Sequence, residues 1–199
     1  MVYDQALRLG ERRGMEARRR DLLARARGRV LEIGAGTGLN LDHYPNGLEG
    51  VTLTEPSRPM ADQLRARMAQ LGTTTPIIAA RAEALPFANH SFDTVVSTLV
   101  LCTVADPEAA IAEVRRVLRP GGLFLFSEHV RSASRSRARR QDRWANAWAA
   151  IADGCRCNRE TLAAIAARFT ITHVEHAQWN GMPGIIAPLV TGEAVPETR

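Results

Sequence analysis

The chain has 199 residues, of which 45% are hydrophobic and 24% are charged, as is typical of a globular protein with a substantial core. No run approaches the roughly 20 apolar residues of a membrane span, and the N-terminus lacks the apolar stretch of a secretory signal, so we expect a cytoplasmic protein. The formal net charge is +5, and all of the positive charge comes from arginine because the chain has no lysine. The arginines cluster at residues 8–29 and 131–143, which we interpret as solvated surface rather than a nucleic-acid binding face.

Strands and helices are predicted to alternate along the chain. The predicted strands are residues 30–33, 48–54, 77–80, 91–101, 123–127, 169–176 and 185–191. The predicted helical segments are residues 3–28, 58–71, 107–118, capped by Asp106, and 158–167, capped by Asn158. This alternation predicts an α/β fold of the Rossmann-like, doubly wound class, with a mostly parallel seven-stranded sheet and helices on both faces.

A glycine-rich stretch, Glu32-Ile33-Gly34-Ala35-Gly36-Thr37-Gly38, follows the first predicted strand. Glycines at alternate positions let the backbone turn sharply and approach a ligand where a Cβ would collide. Glu55 ends the second predicted strand, where an acidic side chain can accept hydrogen bonds from both ribose hydroxyls of an adenosine. Both features fall at the carboxyl ends of strands, which is where open parallel sheets bind ligands.

Two absences narrow the class of ligand. Leu39 stands where the dinucleotide fingerprint has its third glycine or alanine, and no Gly-Lys-[Ser/Thr] follows the loop as a phosphate-binding P-loop requires. The sequence therefore predicts a ligand that contains adenosine but no phosphates.

The chain resembles the class I S-adenosylmethionine-dependent methyltransferases, of the methyltransferase domain 11 type. The shared motifs, which together span about residues 29–128, are residues 32–38, Glu55, Ala82-Glu83-Ala84-Leu85-Pro86-Phe87, Ser91-Phe92-Asp93 and Leu118-Arg119-Pro120-Gly121-Gly122. A narrower resemblance, to the small animal methyltransferases that methylate alkyl thiols, is carried by Leu99-Val100-Leu101-Cys102, Glu128-His129-Val130 and Asp153-Gly154-Cys155. Those relatives carry an N-terminal membrane-anchoring helix, which we do not expect in this chain.

The resemblance implies S-adenosyl-L-methionine as the cofactor and assigns roles to individual residues. Glu32 would hold the amino group and Glu55 the ribose hydroxyls. The other implied cofactor contacts are Gly34, Gly36 and Gly38 along the methionine portion, Pro56 beside the adenine, Ala82 and Glu83 at the adenine edge, and Thr98 and Leu99 below the sulfonium. Arg81 stands where many relatives have an aspartate that accepts from the adenine amino group, so that contact falls to Glu83 or to the backbone.

The acceptor is expected to bind beyond the central strands. His129 is the candidate general base because it directly follows the fifth main strand, and its alternative role is that of a structural histidine. Glu128 would orient it or line the pocket, and we interpret Cys102 as a small buried apolar residue. Trp144 and Trp148 are four positions apart on one helix face, so they either roof the acceptor pocket or pack the segment onto the core.

The predicted function is methyl transfer to a small molecule, which includes a thiol among the candidates. The alternatives are a phenol- or quinone-type acceptor, RNA, or a cofactor-binding protein without catalysis. We expect no nucleic-acid partner, no membrane span and no metal site, since the Cys155-Arg156-Cys157 spacing does not match the usual zinc spacing. The whole chain is interpreted as one methyltransferase domain, with a helical segment at 1–28, a cofactor-binding core at 29–128, a substrate-side insertion at 130–157, and a helix and strands at 158–199.

Overall fold

One β-sheet forms the centre of the molecule. The computed structural model describes residues 10–197. The strands in this range are β1 (Arg29–Ile33), β2 (Gly50–Thr54), β3 (Ile77–Ile78), β4 (Phe92–Thr98), β5 (Leu118–His129), β6 (Phe169–Gln178) and β7 (Pro188–Pro196). The helices are α1 (Glu16–Leu23), α2 (Arg58–Leu71), α3 (Pro107–Val117), α4 (Arg135–Ile151) and α5 (Thr161–Ala166).

The strands lie in the order β3-β2-β1-β4-β5-β7-β6. Strands β1 to β5 are parallel to one another, and β7 is antiparallel to both β5 and β6. Successive side chains of a strand point to opposite faces: Leu31 packs in one buried cluster with Ile111 of α3, whereas Val30 packs in another with Leu23 of α1. The expected fold is therefore confirmed as a doubly wound, mostly parallel seven-stranded sheet with helices on both faces.

The N-terminal segment packs against the antiparallel end of the sheet. Residues 1–9 of the predicted helical segment lie outside the described residues. In the remainder, residues 11–15 form a kinked helical turn that leads directly into α1, and the kink lies at Arg13 and Gly14, where the backbone is not helical. Met15 is buried and packs against Trp179 and Leu189, so this segment forms one wall of the space above the sheet.

Two central strands have bounds that differ from the prediction. Strand β4 ends at Thr98 rather than at residue 101, because Leu99 adopts a positive φ of 59° and begins a tight turn. Strand β5 begins at Leu118 rather than at residue 123. The register with β4 shifts between Phe92 and Thr94, and this irregularity accommodates the Pro-Gly-Gly sequence within the longer strand.

The C-terminal elements also differ from the prediction. Asn158 does not cap α5, which begins at Thr161; instead its Nδ2 donates to Oδ1 of Asp142 at 3.1 Å. The last strand is Pro188–Pro196 rather than 185–191, because the amides of Ile186 and Ala187 close a turn onto the carbonyl of Pro183.

The strand order creates a crevice between β1 and β4. From β1 the chain builds outward through β2 and β3, then returns to the other side of β1 to form β4. Loops at the carboxyl ends of these two strands consequently diverge, and open α/β sheets bind ligands at such a reversal. Within residues 10–197, no helix combines the length and the apolar character needed to cross a membrane.

Asp106 caps α3 as predicted, and this cap yields a stability test. Its carboxylate accepts hydrogen bonds from the amides of Glu108 and Ala109, each at 3.0 Å, and Pro107 occupies the first turn. We expect Asp106→Ala to lower the free energy of unfolding by about 1 kcal/mol in a denaturant titration. Ser134 precedes α4 without making a side-chain cap, so Ser134→Ala is the control. Equal losses in the two variants would contradict a stabilising cap at Asp106.

Candidate active site

A cavity of about 650 Å³ opens at the carboxyl ends of the central parallel strands. Most of the predicted site residues come together in its lining: Glu32, Gly34, Gly36, Glu55, Pro56, Ala82, Glu83, Thr98, Leu99 and His129. Gly38 does not line it. These residues are separated by up to 97 positions in the chain, and the parallel sheet gathers them because strand ends of the same sense share one edge.

The glycines of the first loop have different roles. Gly36 has φ +58°, and a Cβ at this position would meet no atom within 4 Å, so the backbone faces open space at the cavity wall. Gly38 has φ +87°, and a Cβ there would lie 2.6 Å from Cδ1 of Leu64 in α2. Gly36 therefore leaves room for a ligand, whereas Gly38 allows α2 to pack closely against the loop.

Glu55 is fixed by backbone amides of the loops that follow β1 and β2. Its Oε2 accepts from the amide of Gly36 at 2.8 Å, and its Oε1 accepts from the amide of Ser57 at 2.7 Å. Burial raises the pKa of Glu55, the two backbone hydrogen bonds oppose this, and the nearby Asp153 carboxylate raises it further. Each carboxylate oxygen has a second lone pair free for a donor, so this side chain can accept hydrogen bonds from a diol.

Glu32 belongs to a buried polar network that sequence reasoning missed. Its Oε1 accepts from Nδ2 of Asn40 at 2.9 Å and its Oε2 accepts from the hydroxyl of Tyr44 at 2.6 Å. Asn40 also donates to Oγ1 of Thr98 at 3.1 Å and accepts from Nη1 of Arg19 at 2.9 Å. Burial raises the pKa of Glu32 to about 7 despite these hydrogen bonds. A cation bound beside Glu32 would stabilise the ionised carboxylate and offset the free-energy cost of its desolvation.

In the segment predicted to contact adenine, the charged side chains are paired with each other. Arg81 forms an ion pair with Glu83 at 3.1 Å, and Oε1 of Glu83 also accepts from the amide of Ala105 at 2.9 Å. The carboxylate of Glu83 is therefore already engaged, and Arg81 lines the same cavity from a largely exposed position. This arrangement favours the backbone over the Glu83 carboxylate for an adenine contact.

His129 and Trp179 line another end of the cavity. The ring of His129 stacks on the indole of Trp179, with 5.5 Å between ring centroids and 30° between planes. Burial lowers the pKa of His129 to about 4, although the carbonyls of Pro188 and Ile186 act in the opposite direction. The imidazole is therefore neutral at physiological pH. Trp179 was not identified from the sequence, because it lies 50 residues away in a loop after β6.

The insertion at 130–157 contributes a wall of the same end. Trp148 of α4 lines the cavity, whereas the side chain of Trp144 is 54% exposed, so the two tryptophans do not share one role. Gln141 fixes the position of the insertion through hydrogen bonds, since its Nε2 lies within 3.1 Å of the carbonyls of Val130, Cys157 and Ile185.

Cys102 and Cys155 pack together at this wall, and both line the cavity. Cys102 is buried as expected, with 1% of its surface exposed. The amide of Arg156 donates to the carbonyl of Cys102 at 2.7 Å, so the turn after β4 and the end of the insertion are directly joined.

Glu128 lies behind the cavity rather than in its lining, and it holds the turn that follows β4. Its Oε1 accepts from Oγ of Ser97 at 2.6 Å and from the amide of Val100 at 3.1 Å. Its Oε2 has no hydrogen-bond partner among the described residues. Burial raises the pKa of Glu128 to about 7, against the effect of these donors. The carboxylate therefore positions the turn at a cost in desolvation.

Comparisons with known proteins identify methyltransferases as relatives of this chain. A family model described as a methyltransferase domain matches residues 31–126. Thiol S-methyltransferase TMT1B of Mus musculus is 37% identical over 197 residues, covering 91% of this chain and 79% of the mouse protein. Thiol S-methyltransferase TMT1A of Homo sapiens is 36% identical over 171 residues, covering 83% of this chain and 70% of the human protein.

A solved structure shares the fold. Geranyl diphosphate methyltransferase in complex with SAM superposes with a TM-score of 0.73 at 18% identity, and the match covers 94% of this chain and 87% of that one. An identity this low supports the fold and not the substrate.

The buried Glu128 carboxylate should make stability depend on pH. Its pKa is about 7 in the folded chain and near 4.5 when exposed, so its contribution to stability is complete below about pH 4.5 and is lost as the pH rises through 7. The loss amounts to about 3 kcal/mol. Glu128→Gln keeps an oxygen acceptor for the turn and cannot ionise, so its free energy of unfolding should fall less between pH 5 and pH 8. Exposed Glu49→Gln is the control, and an unchanged pH slope in Glu128→Gln would contradict the assignment.

Proposed function

This chain belongs to the class I S-adenosylmethionine-dependent methyltransferases, and we propose that its methyl acceptor is the sulfur of a small thiol. The observation that carries the proposal is the junction of the three segments that resemble thiol methyltransferases. Cys102, His129 and Cys155, one from each segment, line the cavity. The amide of Arg156, directly after the third segment, donates to the carbonyl of Cys102, and Glu128 accepts from the amide of Val100. The identity to two thiol S-methyltransferases over most of their length supports the same acceptor class.

The cofactor-binding roles follow from the contacts at the strand ends. We propose that Glu55 accepts hydrogen bonds from the ribose hydroxyls and that Glu32 faces the amino group of the methionine portion. The open backbone at Gly36, with Gly34 beside it, would lie along that portion, and Thr98 and Leu99 would lie below the sulfonium. At the other end, the remaining proposed contacts are Pro56 beside the adenine, and the backbone of Ala82 and Glu83 at its edge.

The bound cofactor would supply a methyl group on a positively charged sulfur, which is a good leaving group. The task of the protein is to align the acceptor with that methyl and to exclude water. Trp148, Trp179 and Met182 give the acceptor end an apolar lining suited to an alkyl or aryl thiol. We propose that His129 takes the thiol proton there. Because its pKa is about 4, it is unprotonated throughout the physiological range but is a weak base, so its contribution should be about tenfold or somewhat more, below the usual range of general-base catalysis.

The acceptor class is tested by supplying methyl-labelled cofactor together with an alkyl thiol, an aryl thiol, a phenol and an unstructured RNA. We expect label in the thioether products, identified by mass spectrometry, and none in RNA. Labelling of the phenol without labelling of either thiol would replace the proposed acceptor class, since the aromatic wall also suits a phenol. Cofactor binding without turnover on any acceptor would indicate a protein that binds but does not catalyse.

Glu55→Ala tests the ribose contact. Loss of hydrogen bonds to a charged acceptor should raise the Kd for S-adenosylhomocysteine at least about 100-fold by calorimetry, while the melting transition remains cooperative. Asp62→Ala is the matched control, because Asp62 is an exposed acid on α2 that pairs with Arg65. An unchanged Kd in a folded Glu55→Ala protein would remove Glu55 from the site.

His129→Gln tests the proposed base with the accepted thiol. The rate of methyl transfer should fall by about tenfold or more, with the Kd for the cofactor unchanged. The wild-type rate should also show no inflection near pH 6.5 from this imidazole, since its pKa is depressed. His173→Gln, at an exposed position of β6, should have no effect. A loss smaller than tenfold in His129→Gln would argue for a structural histidine.

A further inference from the structure

Arg19 is a buried cation that lines the cavity, and the roles assigned above do not use it. It lies on α1 with only 6% of its side chain exposed, although it belongs to the arginine cluster that the sequence suggested was solvated. A buried guanidinium is costly unless its donors are satisfied, so its partners identify what it is positioned to bind.

Three of the five N–H groups of Arg19 have identified acceptors. Nε and Nη2 donate to the carboxylate of Glu11 at 3.2 and 3.1 Å, and Nη1 donates to Oδ1 of Asn40 at 2.9 Å. Each terminal nitrogen carries a second N–H, for which no acceptor is identified within residues 10–197. The guanidinium thus retains two donors while it forms part of the cavity wall.

Asn40 places the cation of Arg19 beside the anion of Glu32. Its amide oxygen accepts from Arg19 and its amide nitrogen donates to Glu32, so one buried side chain, 2% exposed, sets the spacing of the two charges. A carboxylate and a guanidinium that neighbour each other at a cavity wall are complementary to the ammonium and the carboxylate of an α-amino acid.

We propose that Arg19 binds the carboxylate of the methionine portion of the cofactor, as the partner of Glu32 at the amino group. This inference rests on the proposed assignment of Glu32. It makes the N-terminal segment part of the cofactor site, since Arg19 is delivered by α1 and α1 lies outside the matched methyltransferase domain at residues 31–126. A guanidinium suits the role because its fork binds a carboxylate through two hydrogen bonds.

The test uses two ligands that differ in the amino-acid portion. S-adenosylhomocysteine carries the ammonium and the carboxylate, whereas 5′-methylthioadenosine carries the same nucleoside and neither charge. By calorimetry, Arg19→Met should weaken S-adenosylhomocysteine at least about tenfold and change 5′-methylthioadenosine less than about twofold. Equal weakening of both ligands would show a structural role for Arg19, and weakening of neither would overturn the proposal.

Glu11→Gln distinguishes a direct contact between Arg19 and the ligand from a structural role of the Arg19–Glu11 ion pair. It removes the anionic partner of Arg19 and keeps the guanidinium, so S-adenosylhomocysteine should bind as tightly as in the wild type or more tightly. If the ion pair itself maintained the site, Glu11→Gln would weaken the ligand as much as Arg19→Met does, which would contradict the proposal. Should Arg19→Met fail to fold, Arg19→Lys provides the same comparison with a single charge in place of the fork. A wild-type protein that binds neither ligand would contradict the assigned cofactor site instead.

Discussion

Carboxylates buried at the carboxyl ends of parallel strands are the interactions on which the site depends. Glu32 and Glu128 are the next-to-last residues of β1 and β5, Glu55 directly follows β2, and each has 5% or less of its surface exposed. Removing a carboxylate from water costs free energy unless nearby donors compensate. The loops that follow the strands supply those donors as amides, an asparagine and hydroxyls, so their conformations are coupled to the burial of the charges. The cavity is consequently shaped before a ligand arrives, which lowers the cost of ordering on binding.

Local signals account for what could be predicted from the sequence. The glycine loop, Glu55 at the end of β2 and the Asp106 cap each depend on residues within a few positions of one another. Their positions in the structure follow from the alternation of strands and helices, because a parallel sheet brings the ends of its strands to one edge. The same logic placed His129 at the cavity.

Long-range pairing accounts for what could not be predicted. Asn40 joins Arg19 and Glu32 only because α1 packs over the sheet, and no periodicity in the sequence encodes that contact. Trp179 reaches His129 from a separate loop. Asparagine is a residue type that commonly caps helices, yet the side-chain amide of Asn158 donates to Asp142 of α4. A tertiary hydrogen bond therefore replaces the local cap that the sequence predicted.

The two ends of the cavity draw on different parts of the chain. The carboxylates proposed to face the ribose and the amino group lie within residues 31–126, whereas His129 and the apolar lining of Trp148, Trp179 and Met182 lie beyond that block. Gln141 holds the segments after residue 126 together through hydrogen bonds to main-chain carbonyls, and such carbonyls are present whatever the side chains are. Replacements in these segments can therefore accumulate without disturbing the sheet. In evolutionary terms, descendants of this fold can acquire new acceptors while inheriting the same methyl donor.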